Sequence, residues 1–501
     1  MTNANAQSFT QAITIKLREP ARARNLELVL LVIACGICAG AMILVQLGTK
    51  GRVFDTSVLW TGAGILGLAL IMHVVLRIVA KNADPFILPV ALVLNGIGIA
   101  EIYRIDIHND LTGWSAIGVK QIVWTMLAMV LAIITVSVVR NHRFLQRYRY
   151  IFMFLTIALL LLPMLPGIGE NVGGARVWIK IGPFSFQPGE LAKITMALFF
   201  AGYLVTARDS LSIVGRKFLG MTFPRARDLG PILVMWGAAM AVLVFQRDLG
   251  TALLYFGLFL VMLYVATGRI SWVVIGLGLF VGGALIAQSA LVYVHGRFEQ
   301  WLDPFNQEIF QRQTQGSYQL VQGLFGFANG GITGTGLGQG RPYITPVANA
   351  DYIIASLGEE LGLIGVFAIL ALFIVLASRG MRVAFMAQDD FGKLLGVGFG
   401  FIIALQVFVV VGGITRVIPV TGLTTPFMAA GGSSLIANWI IAAMLLRLTD
   451  SIPAEQRVQQ GAIPAARGKA GRNTTGRGLS ARGTAASGTA SSGATRKEHS
   501  R

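Results

Sequence analysis

The sequence predicts an all-α integral membrane protein, a polytopic bundle of about twelve transmembrane helices with two long extracytoplasmic loops. Three observations carry that class. The 501 residues are 54% hydrophobic and only 13% charged, where a soluble domain carries about a quarter charged. Apolar runs of about 20 residues, the length that crosses a hydrocarbon core, recur along the chain. Alternating runs of about ten residues, the mark of a membrane β-barrel, are missing. Backbone exposed to lipid must close its own hydrogen bonds, so such runs are helices.

Residues 1–26 form a polar cytoplasmic segment whose Lys16, Arg18, Arg22 and Arg24 precede the first span. Spans are expected near 27–48, 57–80, 86–103, 116–138, 150–166, 188–206, 230–246, 250–266, 271–293, 352–377, 392–412 and 424–448. Loop charge follows their alternation. Inner loops hold Arg140, Arg143, Arg147 and Arg149, then Arg208, Arg216, Lys217, Arg225 and Arg227, then Arg379, Arg382 and Lys393; outer loops, among them Lys50 and Arg52, are sparser. This bias puts both termini in the cytoplasm. It also accounts for the net charge of +18 without nucleic acid. Cys35 and Cys38 form CxxC inside the first run, where they read as small apolar residues. No cleavable leader is expected, because that run starts near Leu26 and passes 20 residues.

Two outer loops are long, 167–187 and 294–350. A loop of the second length without a span is usually functional. Its stretch Arg297 to Tyr318 suits short interfacial helices, with Trp301, Phe305 and Phe310 at headgroup level. Residues 451–501 are a disordered basic cytoplasmic tail, with nine Lys/Arg against two Glu.

Candidate chemistry lies on the outer side. In NVGGARVWIKIGPFSFQPGELAK, Gly173-Gly174 and Gly182-Pro183 are turn signals around a short extended arm. Arg176, Trp178 and Lys180 alternate, so an extended arm puts them on one face. That face suits a phosphorylated or sugar-bearing headgroup, or equally an interfacial anchor. Glu190 and Lys193, three apart, form an intramembrane pair that is either functional or orients the helix. Asp248 suits a helix cap.

The centre of the pattern is 326–362, GFANGGITGTGLGQGRPYITPVANADYIIASLGEELG. Its glycines, Gly338 and Gly340 among them, leave amides able to cradle phosphate, or form a flexible lid. Asp351 stands at the mouth of the next span, as a reacting carboxylate or as a cap. One of Glu359 and Glu360 is expected to pair with a basic residue on a neighbouring span. Arg416 sits in the last outer loop, suited to hold an anionic group, and Gly431-Gly432-Ser433-Ser434 breaks the final helix.

Taken together, NGGITGTGLGQG, ADYIIASLGEELGLIG, GARVWIKIGPFSFQPGELAK, QRDLGTALL and VIPVTGLTTPFMAAGGSS stand in the order found in the SEDS family of RodA, FtsW and the sporulation homologue. The resemblance covers 86–450 and is greatest to actinobacterial RodA-type members; the two helices within 27–85 and the tail are additions. It implies a peptidoglycan glycosyltransferase that polymerises lipid II, the undecaprenyl-diphosphate-linked disaccharide peptide, at the outer face of the bacterial cytoplasmic membrane, for elongation or division. It implies a cognate class B penicillin-binding protein as partner, with other elongation or division proteins, and no nucleic acid. By motif match Asp351 is the essential loop aspartate, expected to act as general base in an inverting displacement. Arg176 and Trp178 fall in the first-loop motif, and Glu190 and Lys193 on the buried pair. Substrate binding is assigned to Arg176, Trp178, Lys180, Arg416, Gly338 and Gly340. A divalent cation, Mg or Mn, is the expected cofactor, with no metal ligands assigned. The chain departs from the family pattern at Val347, Asn349 and Ala350, where Glu, His and Thr are common, at Ala429-Ala430, and at Gly189. A lipid II flippase without chemistry is the alternative.

Overall fold

The computed structural model describes residues 2–48, 56–111, 113–172, 174–182, 184–211, 217–218, 221–222 and 230–452. The outer-loop cations Lys50 and Arg52, the inner-loop cations Arg216, Arg225 and Arg227, the turn residues Gly173 and Pro183, and tail residues 453–501 lie outside them.

The chain is a polytopic membrane protein. Its helices are α1 (Thr2–Gly48), α2 (Thr56–Val79), α3 (Ile87–His108), α4 (Ile117–Val138), α5 (Arg143–Gln146), α6 (Arg149–Leu161), α7 (Pro188–Leu211), α8 (Gly230–Ala241), α9 (Leu249–Thr267) and α10 (Ile270–Ala290). They continue as α11 (Val292–Leu302), α12 (Gln307–Gln311), α13 (Tyr318–Gly330), α14 (Ile353–Met386), α15 (Asp390–Ile414) and α16 (Gly432–Asp450). Among the described residues ten helices are long and apolar enough to cross a membrane. Two of the twelve expected spans are shorter. The first, Arg149–Met164, tightens into a 3-10 turn at Leu162–Met164, where Pro163 cannot continue the helix. The second, α8, runs into a single π turn at Val242–Gln246.

Not every element is helical. Between α6 and α7, β1 (Gly169–Val172), β2 (Ala175–Ile181) and β3 (Phe184–Phe186) form an antiparallel sheet in the order β1-β2-β3. Trp178 is paired with Glu170 and Lys180 with Ser185. The long loop 294–350 contains α11 and α12, in the stretch Arg297 to Tyr318 where short helices are expected, and α13, which follows it. The last span begins eight residues later than expected from 424–448. Residues 418–431 form no helix, and α16 starts at Gly432. Pro419 and Pro426 remove two backbone donors there.

Lipid gives helices no hydrophobic drive toward one another, so contact depends on small residues that let backbones approach. The α14–α15 seam works this way: a methyl added at Gly380 would lie 2.7 Å from the Gly396 carbonyl oxygen and from Gly400 Cα. The first two helices join the bundle through a buried cluster. Arg24 reaches Glu27 at 2.5 Å and the Ala83 carbonyl, and His73 Nδ1 lies 2.6 Å from Glu27 Oε1.

Candidate active site

The site is laid over residues 418–431, irregular backbone buried inside the bundle. Such backbone is stable at membrane depth only if side chains complete its hydrogen bonds. Asn95 Nδ2 of α3 donates to the Phe427 carbonyl at 2.9 Å, and Gln121 Nε2 of α4 donates to the Ala429 carbonyl at 2.9 Å. Gln406 Nε2 of α15 donates to the Thr424 carbonyl at 2.8 Å. The Ala430 amide donates to the Asn349 carbonyl at 2.8 Å, which ties this segment to the loop carrying Asp351.

Glu190 and Lys193 lie beneath that segment. Their Oε2 and Nζ are 2.6 Å apart, with side chains 6% and 1% exposed. Lys193 Nζ also donates to Gln406 Oε1 at 3.0 Å and Asn438 Oδ1 at 3.4 Å. Thr424 Oγ1 donates toward Glu190 Oε1 at 3.5 Å. The pair therefore braces α7 against α15, α16 and the irregular strand.

Asp351 closes a turn in which Val347 takes a left-handed φ of 55° and the Ala350 amide donates to the Val347 carbonyl at 3.0 Å. It does not cap the following helix. Tyr352 holds the cap position of α14, and no side chain makes a cap bond there. The carboxyl faces Gly422, where an added methyl would lie 3.8 Å from Oδ2. Burial pushes the Asp351 carboxyl up to about 7; the Arg297 guanidinium opposes that rise and the Asp248 carboxylate adds to it. Asp248 does cap its helix, α9, accepting from the Thr251 amide at 2.9 Å and hydroxyl at 2.5 Å. An apolar groove of about 280 Å³ is lined by Leu249, Ala252, Val294, Phe298, Pro419 and Thr421. Leu249 follows Asp248, Phe298 follows Arg297 and Thr421 precedes Gly422.

The other candidates fall into separate places. In β2, Arg176 and Lys180 are exposed and Trp178 is half-buried, whereas Val177 and Ile179 turn inward. The three candidates therefore share one face of the arm. After β3, the Gln187 amide donates to Ser433 Oγ at 2.8 Å, fixing the sheet to the start of α16. Arg416, at φ 66°, donates to the Trp301 and Leu302 carbonyls, each at 2.8 Å, and its own carbonyl accepts from Trp301 Nε1 at 3.0 Å. It clamps the end of α11, the helix that carries Arg297. The Gly338 amide donates to Glu360 Oε2 at 2.8 Å, and Gly340 packs on the same side chain, where an added methyl would lie 2.8 Å from Cγ. Glu360 is the member of the Glu359-Glu360 pair that meets a neighbouring span, with Arg104 Nε at 3.3 Å.

Arg297 is the residue beside Asp351 that loop reading alone does not single out; its only sequence signal is a positive charge in an outer loop. Asn95, Gln121, Gln406 and Asn438 were findable, as amides inside apolar runs. No three His, Cys, Asp or Glu side chains converge into a metal-binding group among the described residues.

Residues 84–452 match the family model of FtsW, RodA and SpoVE, described as a cell cycle protein. The chain is 43% identical over 434 residues to the peptidoglycan glycosyltransferase RodA of Mycobacterium tuberculosis strain H37Rv, covering 85% of this chain and 90% of that one. Among solved structures it resembles a chain from a study of the structural coordination of polymerization and crosslinking by a peptidoglycan synthase complex. The TM-score is 0.51 at 23% identity, over 80% of this chain and 98% of that one. A variant of the Thermus thermophilus rod shape determining protein RodA gives a TM-score of 0.51 at 24% identity, over 73% and 97%. Those two likenesses speak to the fold.

Proposed function

The chain belongs to the FtsW, RodA and SpoVE family and is a peptidoglycan glycosyltransferase; from that premise we propose that it polymerises lipid II at the outer face of the cytoplasmic membrane with Asp351 as general base. The observation that carries the assignment is a carboxyl that caps nothing, faces Gly422 next to the groove residue Thr421 and is lifted by burial to about 7. A base near the working pH is the best compromise between being ionised and being strong enough to take a proton.

In this reading the acceptor sugar hydroxyl attacks the anomeric carbon of the donor. Its oxygen–carbon bond forms as the bond from that carbon to the diphosphate oxygen breaks, and the configuration inverts. The hydroxyl proton passes to Asp351 and the electron pair leaves on undecaprenyl diphosphate. Diphosphate needs charge neutralisation rather than protonation. Arg297 supplies it beside the base, and Arg176 and Lys180 offer further cations on the exposed face of β2. The groove takes the nearest part of the lipid chain. Mg or Mn would add to that charge neutralisation at the diphosphate.

The loop charge supports a cytoplasmic location for both termini. The partner is a class B penicillin-binding protein, in line with the synthase complex among the solved neighbours. The break in α14 at Gly362 and the irregular segment 418–431 are also features of transporters, which keeps a flippase in view. One assay separates the two. Purified chain and partner receive lipid II in detergent, where there is no second leaflet. Glycan strands that vanish with Asp351→Asn support the polymerase; strands unchanged in that variant remove Asp351 as the base.

A further inference from the structure

The Gly-rich arm 331–341 is wrapped on the first turns of α14. The Thr335 amide donates to the Glu359 carbonyl at 3.0 Å and the Gly336 amide to the Glu360 carbonyl at 2.9 Å. Below them three carboxyl groups are buried: Glu101 and Glu360 at 0% and Glu359 at 5% exposure. One buried guanidinium faces them. Arg104 reaches Glu360 Oε1 at 3.3 Å and spends its Nη2 on the Gly340 carbonyl at 2.9 Å.

Two of the carboxyls have donors. Glu359 Oε1 accepts from Asn329 Nδ2 at 2.8 Å and from the Arg341 amide at 2.9 Å. Glu360 accepts from Arg104 and the Gly338 amide. Glu101, one turn before Arg104 on α3, has no donor on either oxygen. Glu101 and Arg104, one turn apart, share a face of α3, and Arg104 meets Glu360 at 3.3 Å, so that face turns Glu101 toward the same carboxylate. Two ionised carboxylates are acceptors only and cannot bond to each other, and a buried uncompensated charge is costly. A single proton between them removes both conflicts.

We propose that Glu101 is a positioning residue: it carries that proton, donates it in a hydrogen bond to Glu360, and so fixes the carboxylate on which Gly338 and Gly340 are seated. The arm held there runs on through the turn at Pro342–Ile344 to Asp351. The inference rests on the reading of Asp351 as the base, but its primary readout does not require turnover.

The test compares Glu101→Gln, which keeps the shape and offers an amide donor, with Glu101→Met, which keeps the length and offers none. Hydrogen exchange is followed across 335–341, together with thermal midpoint and polymerisation of lipid II. Glu101→Gln is expected to keep wild-type protection and rate. Glu101→Met is expected to lose protection across the arm and to slow polymerisation about tenfold or more. Wild-type protection in Glu101→Met, or exposure in Glu101→Gln, overturns the proposal. Should Glu101→Met fail to fold, Glu101→Gln decides alone: kept protection supports a donor at this position and lost protection overturns it. A silent Asp351 would leave the exchange pattern untouched, so the two readings fail separately.

Discussion

Lys193 stands one helical turn below Glu190, its Nζ 2.6 Å from Oε2, and the same ammonium reaches Gln406 at 3.0 Å on another helix. Removing one partner strands a charge in a dry interior, which costs about 3–5 kcal/mol. Lys193→Met is therefore expected to lower the thermal midpoint sharply in detergent. The double variant Glu190→Gln/Lys193→Met should recover much of that loss, because no lone charge remains. Equal losses in the single and double variants would show that Lys193 matters through packing instead.

Asp351→Asn should reduce polymerisation by about 10² to 10⁴. Its effect on stability should run the other way. The folded carboxyl keeps its proton up to about 7, whereas an unfolded aspartate ionises near its ordinary value of 3.8. The folded state binds more protons between those values, so stability falls as pH rises through that window and stays low above it. The variant should therefore unfold at a higher temperature than wild type at pH 8, and at the same temperature at pH 4.

For Arg297 the sign is equally definite. Its guanidinium favours the ionised form of Asp351, so Arg297→Gln should move the acid limb of kcat/KM upward by about one pH unit. Arg416→Ala should move it in the same direction by less, because it frees the end of α11 without removing the charge. A large rise in KM with an unmoved limb would instead mark Arg416 as a group that holds substrate.

At the α14–α15 seam, Gly380→Ala places a methyl 2.7 Å from the Gly396 carbonyl oxygen. Backbone on both sides cannot yield cheaply, so a loss of about 1–3 kcal/mol is expected. Thermal unfolding with polymerisation measured below the midpoint would read it. Wild-type stability would mean that the two helices are looser than the contact implies.

Run length and hydropathy were enough to place the ten long spans, and turn signals with alternation were enough to place β2 and its outward face. The start of α16 was not legible in the same way. Within 424–431 Pro426 and Gly431 were local signs of a break, but the partners that hold the segment irregular, Asn95, Gln121 and Gln406, are recorded in no local pattern. The two short spans were placed as well, 149–164 and 230–246, but hydropathy does not register the 3-10 turn at Pro163 or the π turn before Arg247. At the site, Asp351 and the Glu190–Lys193 pair were visible as charges out of place in apolar surroundings. Arg297 was not, because its proximity to Asp351 depends on how α11 folds back and not on spacing. The Gly338 and Gly340 amides looked available in one dimension; in three the first donates to the Glu360 carboxylate and the second is packed against that side chain.

The irregular stretch before α16 also constrains how the molecule is made. Its carbonyls and amides are completed by Asn95 and Gln121, which are 332, 308 and 310 positions away along the chain in the three bonds concerned. A nascent chain that released this stretch into lipid alone would expose bare peptide groups. Insertion of the final hairpin must therefore wait for α3 and α4 to be gathered at the membrane, so the last span is also a checkpoint on the assembly of earlier ones.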